Sequence, residues 1–145
     1  MPVYLLDKEL AFPAPEDANE EGIVAVGGDL SPERLLLAYQ NGIFPWPARG
    51  YPLLWFSPDP RFALEPSKAH VSRSLRKVLL REQFQVTADT AFAEVITACA
   101  AVPRPHQQGT WITRELRDGY LGLHEHGYAH SVEAWNDGRL VGGLY

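Results

Sequence analysis

The sequence predicts an α+β fold, because helical patterns and strand patterns fill separate stretches of the chain and an antiparallel hairpin pattern follows the last helix. The helical patterns lie between residues 31 and 127, and the hairpin pattern lies at 130–145. The 145 residues, 46% hydrophobic and 21% charged, suffice for one ordinary domain or two very small ones with a buried core.

The first predicted helix begins after Ser31, and residues 1–30 give few periodic signals. Ser31 can cap the free amides of the first turn, Pro32 suits the first helical position, and Gly42 is a natural stop. The apolar face of this helix consists of Leu35, Leu36 and Tyr39. Prolines at 45 and 47 keep the next segment out of a helix, and short strands are predicted at 53–56 and 61–64.

A sharply amphipathic helix is predicted from about Ser72 to Arg81. Its apolar face carries Leu75, Val78 and Leu79, at spacings of three and four residues. The opposite face carries Arg73, Arg76, Lys77 and Arg81. The apolar face is expected to anchor the helix while the bases point outward.

Two further helices and a hairpin complete the predicted elements. After a strand pattern at 84–87, Asp89 or Thr90 is expected to cap a helix that ends before the proline-containing loop 101–109. This helix turns Phe92, Val95, Ile96 and Cys99 inward. Thr113 caps the next helix, which Gly127 ends. Its inward residues are Leu116, Tyr120 and Leu123. The hairpin turns at 136–138, and because the sequence stops inside its second strand, the chain is expected to be incomplete.

Composition narrows the class of protein. No apolar run approaches the roughly 20 residues that cross a bilayer, and residues 1–9 show no secretory pattern. Cys99 is the only cysteine, which favours the reducing cytoplasm. The net charge of −5 argues against general nucleic-acid coating, but residues 67–81 hold five bases and no acid. The average charge therefore hides a local basic patch.

Six motifs occur together in one order. They are residues 27–32 (GGDLSP), 39–46 (YQNGIFPW), 55–61 (WFSPDPR), 70–75 (HVSRSL), 109–113 (GTWIT), and 130–133 (HSVE) leading to 140–145 (LVGGLY). In sequence and spacing they resemble the leucyl/phenylalanyl-tRNA–protein transferase family. The resemblance implies an N-terminal domain at 1–62 and, at 63–145, the first part of an N-acetyltransferase-like (GNAT-like) domain that is incomplete at its C-terminus.

The resemblance also implies an activity and its partners. Family members move Leu, Phe or Met from aminoacyl-tRNA to the N-terminal Arg or Lys of an acceptor protein, which marks that protein for degradation. The ester is already activated, so neither cofactor nor metal is implied. The family's catalytic carboxylate and glutamine would follow Tyr145, so no catalytic residue is expected within these 145 residues.

Candidate binding residues follow from the residues and the resemblance together. Trp46 lies between two prolines and Trp111 at a loop-to-helix junction, where rigid backbone can hold an indole as a stacking surface for a base. The alternative for each of them is a core side chain. The resemblance assigns both to the terminal adenosine of the tRNA. The bases Arg73, Arg76, Lys77 and Arg81 are expected to bind tRNA phosphates, or else form an ordinary solvated face. The resemblance places Leu144 in the aminoacyl pocket.

Other patterns carry weaker hypotheses. Trp55 and Trp135 lie in strand patterns and are expected in the core, as is Cys99. Three histidines, His124, His126 and His130, are close together in sequence, as in some metal sites. However, His124 and His126 are two positions apart on a predicted helix and therefore face different ways, so a metal site is not expected. Gly142 and Gly143 allow either close approach of a ligand or a bulge. Two alternative functions stay open: a non-catalytic aminoacyl-tRNA-binding module and an acetyl-coenzyme A-dependent N-acetyltransferase.

Overall fold

A computed structural model describes residues 3–48, 50–103 and 109–145. Seven strands are present there: β1 (Tyr4–Leu6), β2 (Ile23–Gly27), β3 (Phe44–Pro45), β4 (Leu54–Phe56), β5 (Gln85–Ala88), β6 (Val132–Asn136) and β7 (Arg139–Leu144). Four α-helices accompany them: α1 (Pro32–Gln40), α2 (Arg73–Leu80), α3 (Phe92–Ala101) and α4 (Arg114–Glu125). The α+β class is confirmed. Within the described ranges, none of the helices is long and apolar enough to cross a bilayer.

The first sheet has the strand order β1-β2-β4-β3, in which only the β1–β2 pair is parallel. Trp55 on β4 is fully buried at its centre, as predicted, and donates its indole N–H to the carbonyl of Gly27 over 2.9 Å. Phe12 packs edge-on against this indole at 4.9 Å. Neither β1 nor β2 is predicted from the sequence, and β4 is the part of this sheet that the prediction contains.

Helix α1 begins as predicted, with the Ser31 side chain accepting a hydrogen bond from the amide of Arg34. The guanidinium of Arg34 is fully buried and donates to the carbonyl of Asp7 over 2.9 Å, which ties α1 to the end of β1. It also lies 3.5 Å from the carboxylate of Asp29. A buried arginine therefore fixes the loop between β2 and α1.

The second sheet is antiparallel, in the order β5-β6-β7. The predicted hairpin is confirmed: Asp137 and Gly138 both have positive φ, 50° and 71°, the backbone that a two-residue hairpin turn needs. Helix α3 packs on one face of the sheet, and an added Cβ on Gly143 would lie 2.8 Å from Val95 of that helix. Gly143 therefore serves helix packing.

Among the described residues, one hydrophobic cluster joins the first sheet and α1 to helices α3 and α4. Buried side chains of the first half, including Leu35, Ile43 and Trp55, form one cluster with those of α3 and α4, including Ile96 and Leu116. Helices α1 and α4 are in close contact, since a Cβ on Gly119 of α4 would lie 2.7 Å from the side chain of Leu35 on α1. The inward faces predicted for α3 and α4 are confirmed.

Two predicted elements differ from the structure. The strand predicted at 61–64 is wrong: the segment is irregular, and Phe62 and Leu64 are exposed. Strand β4 pairs with β2 on one side and β3 on the other, so the segment that follows it cannot pair with β4. The cap predicted for α3 is also wrong. Ala91 occupies the N-cap position with no side-chain cap. The Asp89 carboxylate instead accepts from the amide of Ser131, just before β6, and the Thr90 hydroxyl donates to Glu133 on β6.

The anchoring predicted for the amphipathic helix is also wrong within the described residues. Helix α2 has the predicted bounds and the Ser72 cap, but it contains no buried residue. Leu75 and Leu79 on its apolar face are 48% and 57% exposed. Amphipathic spacing shows which face is apolar, but it does not show what covers that face.

The prediction that Trp135 lies in the core is only partly met, since its side chain is half-buried.

Candidate functional site

Two adjoining cavities lie where α1, α4 and the ends of both sheets meet. The larger cavity, about 580 Å³, is mostly apolar and is lined by residues that include Leu36, Cys99, Leu123, His130 and Leu144. The aromatic cavity, about 360 Å³, is lined by residues that include Phe44, Trp46 and Arg61. Tyr39, Trp111 and Tyr120 line both cavities. The shared wall makes one bipartite site.

Trp46 and Trp111 stack on each other, with ring centroids 5.2 Å apart and planes 14° from parallel. Trp46 follows β3 and donates its amide to the carbonyl of Leu54 over 2.9 Å, while Trp111 stands just before α4. The structure therefore brings together the two tryptophans singled out in the sequence. Because the rings already contact each other, a planar ligand has to stack on an outer face of the pair.

The shared wall also contains a pair of tyrosines. The hydroxyls of Tyr39 on α1 and Tyr120 on α4 are hydrogen-bonded to each other. Burial raises the pKa of Tyr39, an effect that the bond from Tyr120 only partly offsets. Burial also raises the pKa of Tyr120, and the neighbouring Tyr39 raises it further. Both phenols therefore keep their protons at neutral pH and offer the cavities hydrogen-bonding groups without charge.

Leu144 is the last residue of β7 and lines the larger cavity. It is 70% exposed, so it forms the rim of that cavity. His130 lies on the same cavity and donates from Nδ1 to the Asp89 carboxylate over 2.8 Å. That hydrogen bond, with a second one from the Ser131 amide, lowers the pKa of Asp89. Asp89 thereby holds the imidazole at the rim in a fixed orientation.

Glu133, on β6, supports this rim from below. Its side chain is fully buried. Burial by itself raises the pKa of Glu133, but hydrogen bonds outweigh it and bring the pKa down to about 2. The donors are the Ser131, Thr87 and Thr90 hydroxyls and the Ala91 amide. The carboxylate therefore joins β5, β6 and the start of α3 as a buried anion.

The four bases predicted to meet phosphates lie on one exposed helix. Arg73, Arg76, Lys77 and Arg81 are all exposed, and none of them lines either cavity. In the part of the chain that the structure describes, none of them has an ion-pair partner; the pairs there involve other residues. Their charges are therefore open to solvent.

The histidines and the cysteine are engaged elsewhere. The His124 ring stacks on Phe92 at 4.2 Å and bonds through Nδ1 to the Ala129 carbonyl, whereas His126 bonds to the Gly122 carbonyl. Across the described ranges, no group of three or more His, Cys, Asp or Glu side chains is placed to hold a metal ion. Cys99 packs against the core and lines the larger cavity.

Comparison with known families identifies the family of this chain. Residues 63–145 match the family model described as leucyl/phenylalanyl-tRNA protein transferase, and residues 28–59 match the model of that protein's N-terminal domain. The chain belongs to the leucyl/phenylalanyl-tRNA–protein transferase family. The family match includes Trp46 in its N-terminal part, and Trp111 and Leu144 in the longer part.

Curated relatives carry the same family name. A leucyl/phenylalanyl-tRNA–protein transferase of Myxococcus xanthus is 61% identical over 147 aligned residues, which cover all of this chain and 63% of the relative. Another from Desulfatibacillum aliphaticivorans is 57% identical over 145 residues, covering all of this chain and 62% of the relative. The chain thus spans somewhat less than two thirds of the length of these relatives.

Several residues of the site are not predicted from the sequence. The sequence predicts Tyr39 only on the apolar face of α1 and Tyr120 on the inward face of α4, and Arg61 is there only part of a motif. The signal for Glu133 was a charged residue at an inward position of an alternating strand, which a buried anion explains. The tyrosine pair and the aromatic cavity left no such local signal, because their residues are far apart in sequence.

Proposed function

We propose that this chain supplies the aminoacyl-tRNA-binding part of a leucyl/phenylalanyl-tRNA–protein transferase. The substrate would be tRNA carrying Leu, Phe or Met, and the acceptor would be a protein with an N-terminal Arg or Lys. Transfer would mark the acceptor for degradation in the cytoplasm. Residues 63–145 would be the first part of a GNAT-like domain, preceded by an N-terminal domain at 1–62.

One observation carries the proposal: the two cavities of the bipartite site complement the two parts of an aminoacyl-adenosine, its amino-acid side chain and its base. The aromatic cavity offers indole faces on which an unpaired base can stack, a contact worth about 1–3 kcal/mol per base. The larger cavity, whose rim includes Leu144, offers an apolar space that suits an uncharged, apolar side chain. Since Trp111 belongs to both cavities, the ester that joins the two parts of the ligand would lie at the shared wall.

Selectivity for the side chain would come from size and polarity. An apolar pocket discriminates a methylene by only about 1–3 kcal/mol, so Leu, Phe and Met would all enter. A charged side chain would lose its hydration without finding a partner, because the described residues that line the larger cavity include no acid and only one residue, His130, that can become positively charged.

Helix α2 would hold the body of the tRNA. Arg73, Arg76, Lys77 and Arg81 would contact phosphates, which positions an RNA without reading its sequence. Their exposure and lack of described ion-pair partners support this role. None of the four bases lines a cavity, as expected for contacts to an acceptor stem, which extends beyond its terminal nucleotide.

The reaction would need little beyond correct placement of its partners. The acceptor's amine nitrogen attacks the ester carbonyl, an amide C–N bond forms, and the ester C–O bond breaks to release the ribose hydroxyl. Because the ester is already activated, the protein mainly has to orient the partners, accept the amine's proton and stabilise the oxyanion. The neutral phenols of Tyr39 and Tyr120 at the shared wall are the nearest candidates for a hydrogen bond to that oxyanion.

The testing experiment measures binding and transfer in one preparation. The purified chain is titrated with a 3′-phenylalanylamino-adenosine, in which an amide replaces the ester, and its tryptophan fluorescence is followed. The same preparation is incubated with radiolabelled Phe-tRNA and an acceptor protein that begins with Arg. Binding of the analogue, weakened in Trp111→Ala, is the expected result.

The outcomes separate the three functions. Binding together with label on the acceptor supports a transferase, and binding without label supports an aminoacyl-tRNA-binding module. Absence of binding, accompanied by thermal stabilisation with acetyl-coenzyme A, would instead show an acetyltransferase and overturn the proposal.

A further inference from the structure

One positively charged side chain, that of Arg61, is among the described residues that line the aromatic cavity. The side chain of Arg61 is exposed and lines that cavity, whereas the other lining residues carry no charge. Among the residues that the structure describes, Arg61 has no acidic partner within ion-pair distance. A positive charge beside a base-stacking surface is the arrangement that a nucleotide, rather than a nucleoside, requires.

Two contacts hold the guanidinium in place. One terminal nitrogen donates to the carbonyl of Gly42 over 2.7 Å, and the guanidinium carbon lies 5.1 Å from the centre of the Phe44 ring. An arginine has five N–H donors in a planar fork, so these contacts leave most donors free. The side chain is thus oriented in advance for an anion, which lowers the entropic cost of binding one.

The aromatic rings link this cation to the stacking pair. Phe44 lies edge-on to Trp46 with centroids 6.4 Å apart, and Trp46 stacks on Trp111. The guanidinium and the indoles therefore stand at two ends of one aromatic wall. A nucleotide stacked on an indole face and extended along this wall would bring its 5′ phosphate to the guanidinium.

We propose that Arg61 forms a phosphate subsite of the aromatic cavity, which binds the phosphate on the 5′ side of the terminal adenosine. The inference rests on the proposed function, because it takes the base in the aromatic cavity to be that adenosine. It adds a recognition step: the site would distinguish the end of a polynucleotide from a free aminoacyl-adenosine. Arg61 would act separately from the bases of α2, none of which lines the cavity.

The test compares two ligands that differ by one phosphate. The chain is titrated with 3′-phenylalanylamino-adenosine and with its 5′-monophosphate, and affinities are measured by tryptophan fluorescence and calorimetry. The expected result is an affinity about 10-fold to 100-fold higher for the phosphorylated ligand, as for a hydrogen bond to a charged group. This gain should shrink as NaCl is raised.

Variants locate the effect. Arg61→Gln should abolish the gain from the phosphate, so that the variant binds the phosphorylated and the unphosphorylated ligand with equal affinity. Arg61→Lys should keep only part of the gain, since an ammonium lacks the fork that reaches Gly42 and the phosphate together. The matched control is Arg139→Gln, which changes an exposed arginine on β7. This variant should keep the full gain in affinity from the phosphate.

Each result decides a separate question. If the unphosphorylated analogue fails to bind the native chain, the proposed function itself fails, and this inference with it. If that analogue binds but the phosphate adds nothing, only the phosphate subsite is overturned. Equal losses for both ligands in Arg61→Gln would also overturn it, because Arg61 would then only brace the loop at Gly42. Salt dependence in the native chain tests the same point without any variant.

Discussion

Glu133 on β6 accepts a hydrogen bond from the hydroxyl of Thr87 on β5, 2.6 Å away, although the glutamate is fully buried. Across the strands the two residues are direct partners in the register. Thr87 also accepts the indole N–H of Trp135 over 2.8 Å. A chain of polar contacts therefore runs through the sheet beneath the rim of the larger cavity, and it depends on one ionised carboxylate.

Replacing that carboxylate should change how stability depends on pH. The folded pKa of Glu133, about 2, lies below the ordinary value of 4.5, so the carboxylate stabilises the fold above about pH 4.5. That contribution is lost as the pH falls from about 4.5 towards 2. Glu133→Gln should therefore unfold at lower urea concentration than the native chain at pH 7, with a gap that narrows on acidification.

Urea titrations followed by tryptophan fluorescence at several pH values measure this gap. The exposed Glu20→Gln is the matched control and should leave the urea midpoint unchanged. A gap for Glu133→Gln that stayed constant down to about pH 2 would show that the effect comes from shape and not from ionisation.

Neighbouring glycines on β7 provide a second prediction about the support of the site. A Cβ on Gly143 would lie 2.8 Å from Val95 on α3, whereas a Cβ on Gly142 would meet only Ala134 at 3.7 Å. Gly143→Ala should therefore destabilise the chain by about 1–3 kcal/mol, the usual cost of overpacking. Gly142→Ala should have little effect.

Thermal or urea unfolding of both variants checks this difference. Both substitutions remove the same backbone freedom from the unfolded chain, so the difference between them isolates the contact with α3. Equal stability of the two variants would mean that α3 can move away from the sheet at no cost.

The extent to which the fold follows from sequence depends on how local each signal is. Ser31 and Thr113 cap their helices as predicted, and Asp137 with Gly138 forms the predicted turn, because such signals act within four residues. Strand β1 has only three residues and pairs in parallel with β2, from which it is separated by a long loop. No short window of sequence contains that pairing.

The residues of the site also differ in how local their sequence signals are. Trp46 and Trp111 are conspicuous in sequence because rigid segments hold large aromatic rings, and the structure brings the two into contact. The tyrosine pair and Arg61 are ordinary residues until α1, α4 and the segment after β4 meet. Their participation follows from tertiary packing, which residue type and spacing do not encode.

Charge reversal on α2 should weaken tRNA binding and its dependence on salt. Each phosphate contact contributes about 0.7–0.9 to the slope of log affinity against log salt concentration, because bound counterions are released. Arg76→Glu should lower the affinity for Phe-tRNA and make that slope shallower by about this amount. Fluorescence anisotropy with labelled Phe-tRNA over a range of NaCl concentrations measures both quantities.

The matched control changes the same charge elsewhere. Lys8→Glu alters an exposed base within the acidic N-terminal segment and should leave the slope unchanged. If both variants lost affinity equally, net charge would govern binding and α2 would have no special role. The small 3′-phenylalanylamino-adenosine should bind Arg76→Glu as it binds the native chain, since Arg76 lines neither cavity.

The stacked indoles give the prediction closest to ligand recognition. Trp111 lines both cavities, so its ring would contact the base and also border the aminoacyl group. Trp111→Ala should weaken binding of 3′-phenylalanylamino-adenosine by about 5-fold to 150-fold, the equivalent of about 1–3 kcal/mol of stacking. Trp111→Phe keeps a smaller aromatic surface and should lose much less.

Tyr51→Ala provides the control for removal of an aromatic ring. Tyr51 is 73% exposed and lines neither cavity, so this variant should bind the analogue with unchanged affinity. Calorimetric titrations of all three variants measure the affinities, and circular dichroism verifies that Trp111→Ala is folded. A folded Trp111→Ala with native affinity would show that the base does not stack on this ring, and the aromatic cavity would then lose its assigned ligand.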